Sequence, residues 1–88
     1  MTDMDVESQV RRLLAETVGP YAWDTVKADE DLRRHGMNSL NCIRLIVAVE
    51  ETFGIEIPHE RLGIRYAGTI GDICGLIRDI CRSENLFA

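Results

Sequence analysis

Ser39 stands four residues after His35 in the stretch His35-Gly36-Met37-Asn38-Ser39-Leu40. A hydroxyl and an imidazole this close raise nucleophilic catalysis, in which a base takes the hydroxyl proton and a third group orients the base. The pattern serves that chemistry poorly. The two residues are four apart across a turn, and no third group is evident to orient His35. The other histidine, His59, lies in a separate loop. Asp29, Glu30 and Asp31 are contiguous, but a calcium loop of the EF-hand kind needs alternating oxygen ligands and a distal Glu. They read as a solvated acidic turn. The three cysteines, Cys42, Cys74 and Cys81, are widely spaced and form no CxxC, which argues against a disulfide framework or a zinc site. Cys74 and Cys81, seven apart, share a helix face and read as buried thiols. There is no Gly-rich phosphate loop, no metal ligand set is expected, and the chain is not expected to be an enzyme.

What remains is Ser39 itself, and two roles suit it. Asn and Ser are both favoured N-caps, so either Asn38 or Ser39 can start the helix that follows. The same place also suits an anchored anion. A hydroxyl at a helix N-terminus sits beside free backbone N–H groups and the positive end of the dipole, where an attached phosphodiester is favoured.

These residues need elements to position them. Val6, Val10, Leu13, Leu14 and Val18 make one apolar stripe, so a first helix is predicted from Asp3 or Asp5 to about Val18, stopped by Gly19-Pro20. Residues 19–38 form a long connection, in which Tyr21, Trp23 and Val26 are expected to pin the chain to the core and Leu32 to anchor a short turn. Connections this long are often functional. A second helix is predicted from Asn38 or Ser39 to Phe53, with Gly54 as its stop. Cys42, Leu45, Ile46, Val49 and Phe53 form its apolar face. Leu40, Ile43 and Val47 form a border strip that either packs under the long loop or docks a partner. Gly-Ile-Glu-Ile-Pro (54–58) reads as an extended loop with Ile55 and Ile57 buried. Residues 59–66 suggest a short third helix, with Leu62, Ile64 and Tyr66 in contact with the rest. The last helix is predicted from about Thr69, its cap, to Arg82, with Ile70, Ile73, Cys74, Ile77, Ile80 and Cys81 inward. The fold class is all-α: a small four-helix bundle of three main helices and a short third one, with a long loop between helices 1 and 2.

The bulk numbers agree. Eighty-eight residues make a single domain, 1–88, and 45% hydrophobic with 28% charged residues fits a globular protein. A net charge of −5 argues against nucleic acid as a partner. No apolar run approaches the roughly 18 residues of a membrane span, and the acidic, polar start Met1–Val10 is unlike a signal peptide. A cytoplasmic monomer that touches neither membrane nor nucleic acid is the expectation.

The stretch Asp31–Pro58 carries a specific combination: an apolar-anchored turn, Gly-Met-Asn-Ser-Leu, and a helix running into Glu-Glu-Thr-Phe-Gly-Ile-Glu-Ile-Pro, followed later by Thr-Ile-Gly-Asp at 69–72. This combination resembles the acyl carrier protein superfamily, which includes peptidyl carrier proteins, over roughly residues 6–82. The resemblance implies that Ser39 is the attachment site of 4′-phosphopantetheine, added from coenzyme A by a phosphopantetheinyl transferase, and that acyl or aminoacyl groups ride on its thiol as thioesters. It implies docking of loading, tailoring and condensing enzymes on the second helix and the loop before it: Asn38, Leu40, Asn41, Ile43, Arg44, Val47, Ala48 and Glu51. The short third helix adds Arg61 and Ile64.

Three departures from the family pattern bear on specificity. Asn38 replaces the Asp common in fatty-acid carriers, and Arg44 stands where those carriers tend to have an acid. Arg33, Arg34 and His35 put positive charge just before Ser39, either to hold the phosphate or simply as solvated groups. Together these imply a specialised carrier of a polyketide or nonribosomal peptide pathway, with docking more apolar than electrostatic, and the initiating Met1 leads to the expectation that it is free-standing. The competing expectation is an interaction module that binds a partner through Leu40, Ile43 and Val47 and uses Ser39 only as a helix cap.

Overall fold

The amphipathic stripes place three helices, and the computed structural model, which describes residues 3–61 and 67–83, contains them: α1 (Asp3–Thr17), α2 (Ser39–Phe53) and α3 (Ile70–Ser83). Short 3₁₀ turns at Trp23–Thr25, Leu32–His35 and His59–Arg61 complete the elements, and there is no strand among the described residues. The all-α bundle of three main helices stands as expected. The expected short third helix is represented by the single turn His59–Arg61; Leu62, Ile64 and Tyr66 lie outside the described residues.

Each apolar stripe faces the common core. Val6, Val10, Leu13 and Leu14 of α1 meet Cys42, Leu45, Ile46 and Val49 of α2 and Ile70, Ile73, Cys74, Ile77, Ile80 and Cys81 of α3, all buried. Leu76 is buried as well, so α3 presents a wider inward arc than its predicted stripe. Val18 and Phe53 are only partly buried, at the edge of the cluster. The helix α1 packs on both of the others and on the Trp23–Thr25 turn. All three cysteines are buried in the core as thiols. No helix of the described residues is long and apolar enough to cross a membrane.

The long connection is built as a second layer of the core. Trp23, Val26, Leu32 and Met37 are all buried along it. Its backbone is tied at both sides. Arg11 of α1 donates from its guanidinium to the carbonyl oxygen of Val26 at 2.7 Å and to that of Trp23. On the α3 side, the Leu32 N–H donates to the Gly68 oxygen at 2.8 Å and the Gly71 N–H to the Ala28 oxygen at 2.9 Å. Tyr21 departs from expectation. It is 54% exposed, because its ring lies on the outside of Trp23 with centroids 5.1 Å apart, and only Trp23 and Val26 enter the core.

The far end of α2 stops where Gly54 adopts the left-handed conformation, φ 66°, and its N–H donates to the Glu50 oxygen. The chain then runs extended with Ile55 and Ile57 buried. The Glu50 carboxylate accepts the Ile57 N–H at 2.8 Å, so this acid belongs to the loop rather than to a partner-facing surface. A backbone N–H so close to the core has no easy substitute acceptor. Glu50→Ala is therefore expected to cost about 1–2 kcal/mol, read as a lower denaturation midpoint, with Glu51→Ala, on an exposed position, close to neutral.

Candidate functional site

Three consecutive residues deliver Ser39 to its place. Gly36 ends the Leu32–His35 turn in the left-handed region at φ 98°, where an L side chain is strained. Met37 then sinks into the core while its N–H donates to the Leu32 oxygen at 3.1 Å. Asn38 is extended, φ −141° and ψ 178°, and its side-chain oxygen accepts the Asn41 N–H at 2.8 Å. Its backbone oxygen receives the first helical hydrogen bond, from the Cys42 N–H at 2.8 Å. Ser39 follows as the first residue of α2.

This settles the question of the cap. Asn38 is the N-cap of α2, so the alternative in which Ser39 serves only as cap is overturned. Asparagine wins the position because its carbonyl oxygen reaches the third N–H of the helix from extended backbone. Ser39 is exposed, and among the described residues its hydroxyl makes no hydrogen bond. The N–H groups of Ser39 and Leu40 also have no acceptor among them. No acidic residue lies in the first turn of α2, so the positive end of the helix dipole is uncompensated by its own side chains. An exposed hydroxyl, two free N–H donors and a positive end suit an attached phosphodiester.

The histidine is employed elsewhere. His35 Nε2 lies 2.7 Å from Glu30 Oε2, and Nδ1 lies 2.9 Å from the Tyr21 hydroxyl. An orienting carboxylate thus exists after all, contrary to the reading from sequence. Both ring nitrogens are occupied, however, and neither partner is Ser39. Among the described residues no side chain is hydrogen-bonded to the serine as a base. The acidic turn is also corrected: Asp29 is exposed, but Glu30 accepts from His35 and from the Lys27 N–H at 3.2 Å, and Asp31 accepts from the Arg33 N–H at 3.0 Å.

Arg33 is bound away from the serine. Its guanidinium meets both oxygens of Asp31, Nη2 to Oδ2 at 2.8 Å, while Arg34 is exposed. The hydrogen bond from His35 holds the Glu30 carboxyl below its ordinary value. The bonds from the Arg33 side chain and N–H bring Asp31 down from 3.8 to about 2. A depressed carboxylate stabilises the fold only when ionised. The Asp31 contribution is thus whole above pH about 4 and is lost as pH falls through about 2. Equilibrium denaturation should show Asp31→Asn less stable than the native chain at pH 6, with the gap closing by pH 2.

The proposed docking residues divide by exposure. Leu40 (58%), Ile43 (55%) and Val47 (46%) are open to solvent, so the strip does not pack under the long loop. Asn38, Arg44 and Glu51 are exposed beside it. Ala48 turns partly inward against the core. Asn41 is half-buried, its amide nitrogen donating to the Gly36 oxygen at 3.3 Å. Arg61 is half-buried and pairs with Asp79 of α3 at 3.4 Å; Ile64 lies outside the described residues. A cleft of about 290 Å³ opens between α1 and the Trp23–Thr25 turn, lined by Arg11, Arg12, Tyr21 and Trp23 among others, and Ser39 is not part of it. No cluster of three or more His, Cys, Asp or Glu side chains among the described residues is placed to hold a metal ion.

Arg11 and Glu50 carry roles that the sequence did not suggest, since both are charged residues accepting or donating to distant backbone. The one available signal was their place beside the apolar stripe rather than opposite it. Compared with known families, residues 8–77 match the model described as the phosphopantetheine attachment site. The match runs from within α1 through the long connection and α2 into α3, and so contains the whole of the arrangement around Ser39.

Proposed function

The chain belongs to the phosphopantetheine attachment site family, whose members are carriers with a covalently bound 4′-phosphopantetheine rather than catalysts, and on that premise we propose that Ser39 is the attachment point in this one. The observation that carries the proposal is the division of labour at the start of α2. Asn38 caps the helix, which leaves the neighbouring hydroxyl exposed and without a structural duty. Carrier domains are served by a phosphopantetheinyl transferase and by the enzymes that load and use the cargo. In the loading step the Ser39 oxygen forms a bond to the phosphorus of the phosphopantetheine half of coenzyme A. The pyrophosphate bond breaks, adenosine bisphosphate leaves, and the serine proton passes to a base on the transferase. The chain's own part is to present the hydroxyl and to hold the phosphate at the helix end.

The proposal extends to docking and pathway. Leu40, Ile43 and Val47 form the apolar contact, with Arg44 and Glu51 setting orientation and Asn38 flanking the serine. Since Glu50 is bound to Ile57, Arg44 and Glu51 balance and the exposed face of α2 has little net charge. Association with partners should then depend weakly on salt. The apolar face, Arg44 and Asn38 support a specialised cytoplasmic carrier of polyketide or nonribosomal peptide synthesis over a fatty-acid carrier. The same proposal has it work free-standing, its loading and condensing enzymes reaching it in trans. The test is intact mass after incubation with coenzyme A and a broad-specificity transferase. A gain of one phosphopantetheine, localised to the peptide containing Ser39, supports the assignment; no gain, or a gain elsewhere, overturns it.

A further inference from the structure

One side chain of the long connection that the attachment chemistry does not use is bonded through both of its ring nitrogens. His35 closes the Leu32–His35 turn immediately before the left-handed Gly36, and its side chain is only 16% exposed. Its two nitrogens reach in opposite directions, to the start of the connection at Tyr21 and to its middle at Glu30. Glu30 is itself fixed by the Lys27 N–H on its other oxygen. The imidazole also packs in a three-ring cluster, with centroids 5.4 Å from Tyr21 and 6.5 Å from Trp23. Trp23 is in turn held by the Gly19 oxygen at 2.9 Å, and its own backbone oxygen by Arg11. A continuous set of contacts therefore runs from α1 to the residue at which the chain turns toward Ser39.

We propose that His35, through Glu30 and Tyr21, is a positioning residue that fixes the direction in which the chain leaves the turn and thereby places the Ser39 hydroxyl for the transferase. The inference rests on Ser39 being the attachment point. Gly36 allows the backbone many directions, and the short path from His35 to Ser39 includes one buried peg, Met37. Without the imidazole, that path loses its ties to Glu30 and Tyr21 and keeps the buried Met37, the Gly36 and Met37 N–H bonds to the Leu32 oxygen and the Asn41 amide bond to the Gly36 oxygen. Group transfer is sensitive to misplacement of the attacking atom on the ångström scale. The Tyr21 hydroxyl can donate or accept, so it serves Nδ1 while Nε2 donates to Glu30.

The test compares loading kinetics of native chain, His35→Ala, His35→Gln and Tyr21→Phe with coenzyme A and a broad-specificity transferase, well below each melting midpoint. Gln places an N–H where Nε2 stands and keeps the contact to Glu30. The expected result is a kcat for loading about tenfold lower in His35→Ala with KM little changed. His35→Gln should return to within about threefold of the native chain, and Tyr21→Phe should fall between. In the apo-protein, hydrogen exchange at the Met37 and Asn41 amides should quicken in His35→Ala while core amides stay protected. Native kcat in His35→Ala, Gln no better than Ala, or unchanged exchange at Met37 and Asn41 overturns the inference. A native chain that never loads overturns the assignment of Ser39 instead, and the exchange experiment then still decides whether His35 holds this segment.

Discussion

Ser39→Ala is expected to abolish loading completely while leaving the domain as stable as before. The two halves of that expectation come from different facts. With attachment at Ser39 as proposed, loading requires an oxygen nucleophile at residue 39, and alanine has none. Stability is spared because the serine is exposed at the first position of α2 and caps nothing. An exposed substitution without a structural role stays within about 0.5 kcal/mol, and alanine is a good helix former. The neighbouring substitution reverses the pattern. Asn38→Ala removes the acceptor for the Asn41 N–H and should cost about 1 kcal/mol while leaving the nucleophile in place. Intact mass and denaturation midpoints on the two variants give a crossed result. A Ser39→Ala variant that still gains mass, or that melts like a cap deletion, would falsify the arrangement described.

Leu32→Ala is expected to be the most damaging single substitution near the site. Leu32 is fully buried, and its backbone ties the connection to Gly68 on one side and receives the Met37 N–H on the other. Removing its side chain leaves a cavity between the loop layer and the core and should cost about 2–5 kcal/mol. A domain of this size holds on the order of 5–10 kcal/mol in total, so the loss is a large fraction of it. The melting midpoint should drop by more than about 10 °C. Leu40→Ala offers the control. That leucine is 58% exposed and its truncation should be nearly neutral for stability while weakening partner contact. Equal losses at the two leucines, in calorimetry, would show that the connection is not part of the core.

The two leucines also mark how far the sequence could be read. Along the helices the reading was nearly complete, because burial there follows from period alone. The residues of α1 at Val6, Val10, Leu13 and Leu14 point one way by geometry. Gly54 fell at the end of α2 because only a residue tolerant of positive φ ends a helix that way cheaply. Within the connection the reading weakened. Trp23, Val26 and Leu32 went inward as expected, but Tyr21 did not, and nothing in a non-repeating segment distinguishes the ring that fills the core from the ring that covers it. The cap was legible only as a choice of two residues.

The sequence by itself determined the three helices, the buried thiols, the place of Ser39 at a helix start and the family to which these features belong. Periodicity and terminal residue types are local, so they survive without coordinates. Tertiary structure decided which of two adjacent polar residues caps α2, that Leu40, Ile43 and Val47 face solvent, and that the His35 ring bonds to Glu30 and Tyr21 and not to the serine. It also took Glu50 from the surface to the Ile57 N–H and Arg33 from the serine to Asp31. Each of these depends on which partners lie within hydrogen-bond reach or packing distance, and a chain folded back on itself sets those distances in a way that residue spacing does not encode.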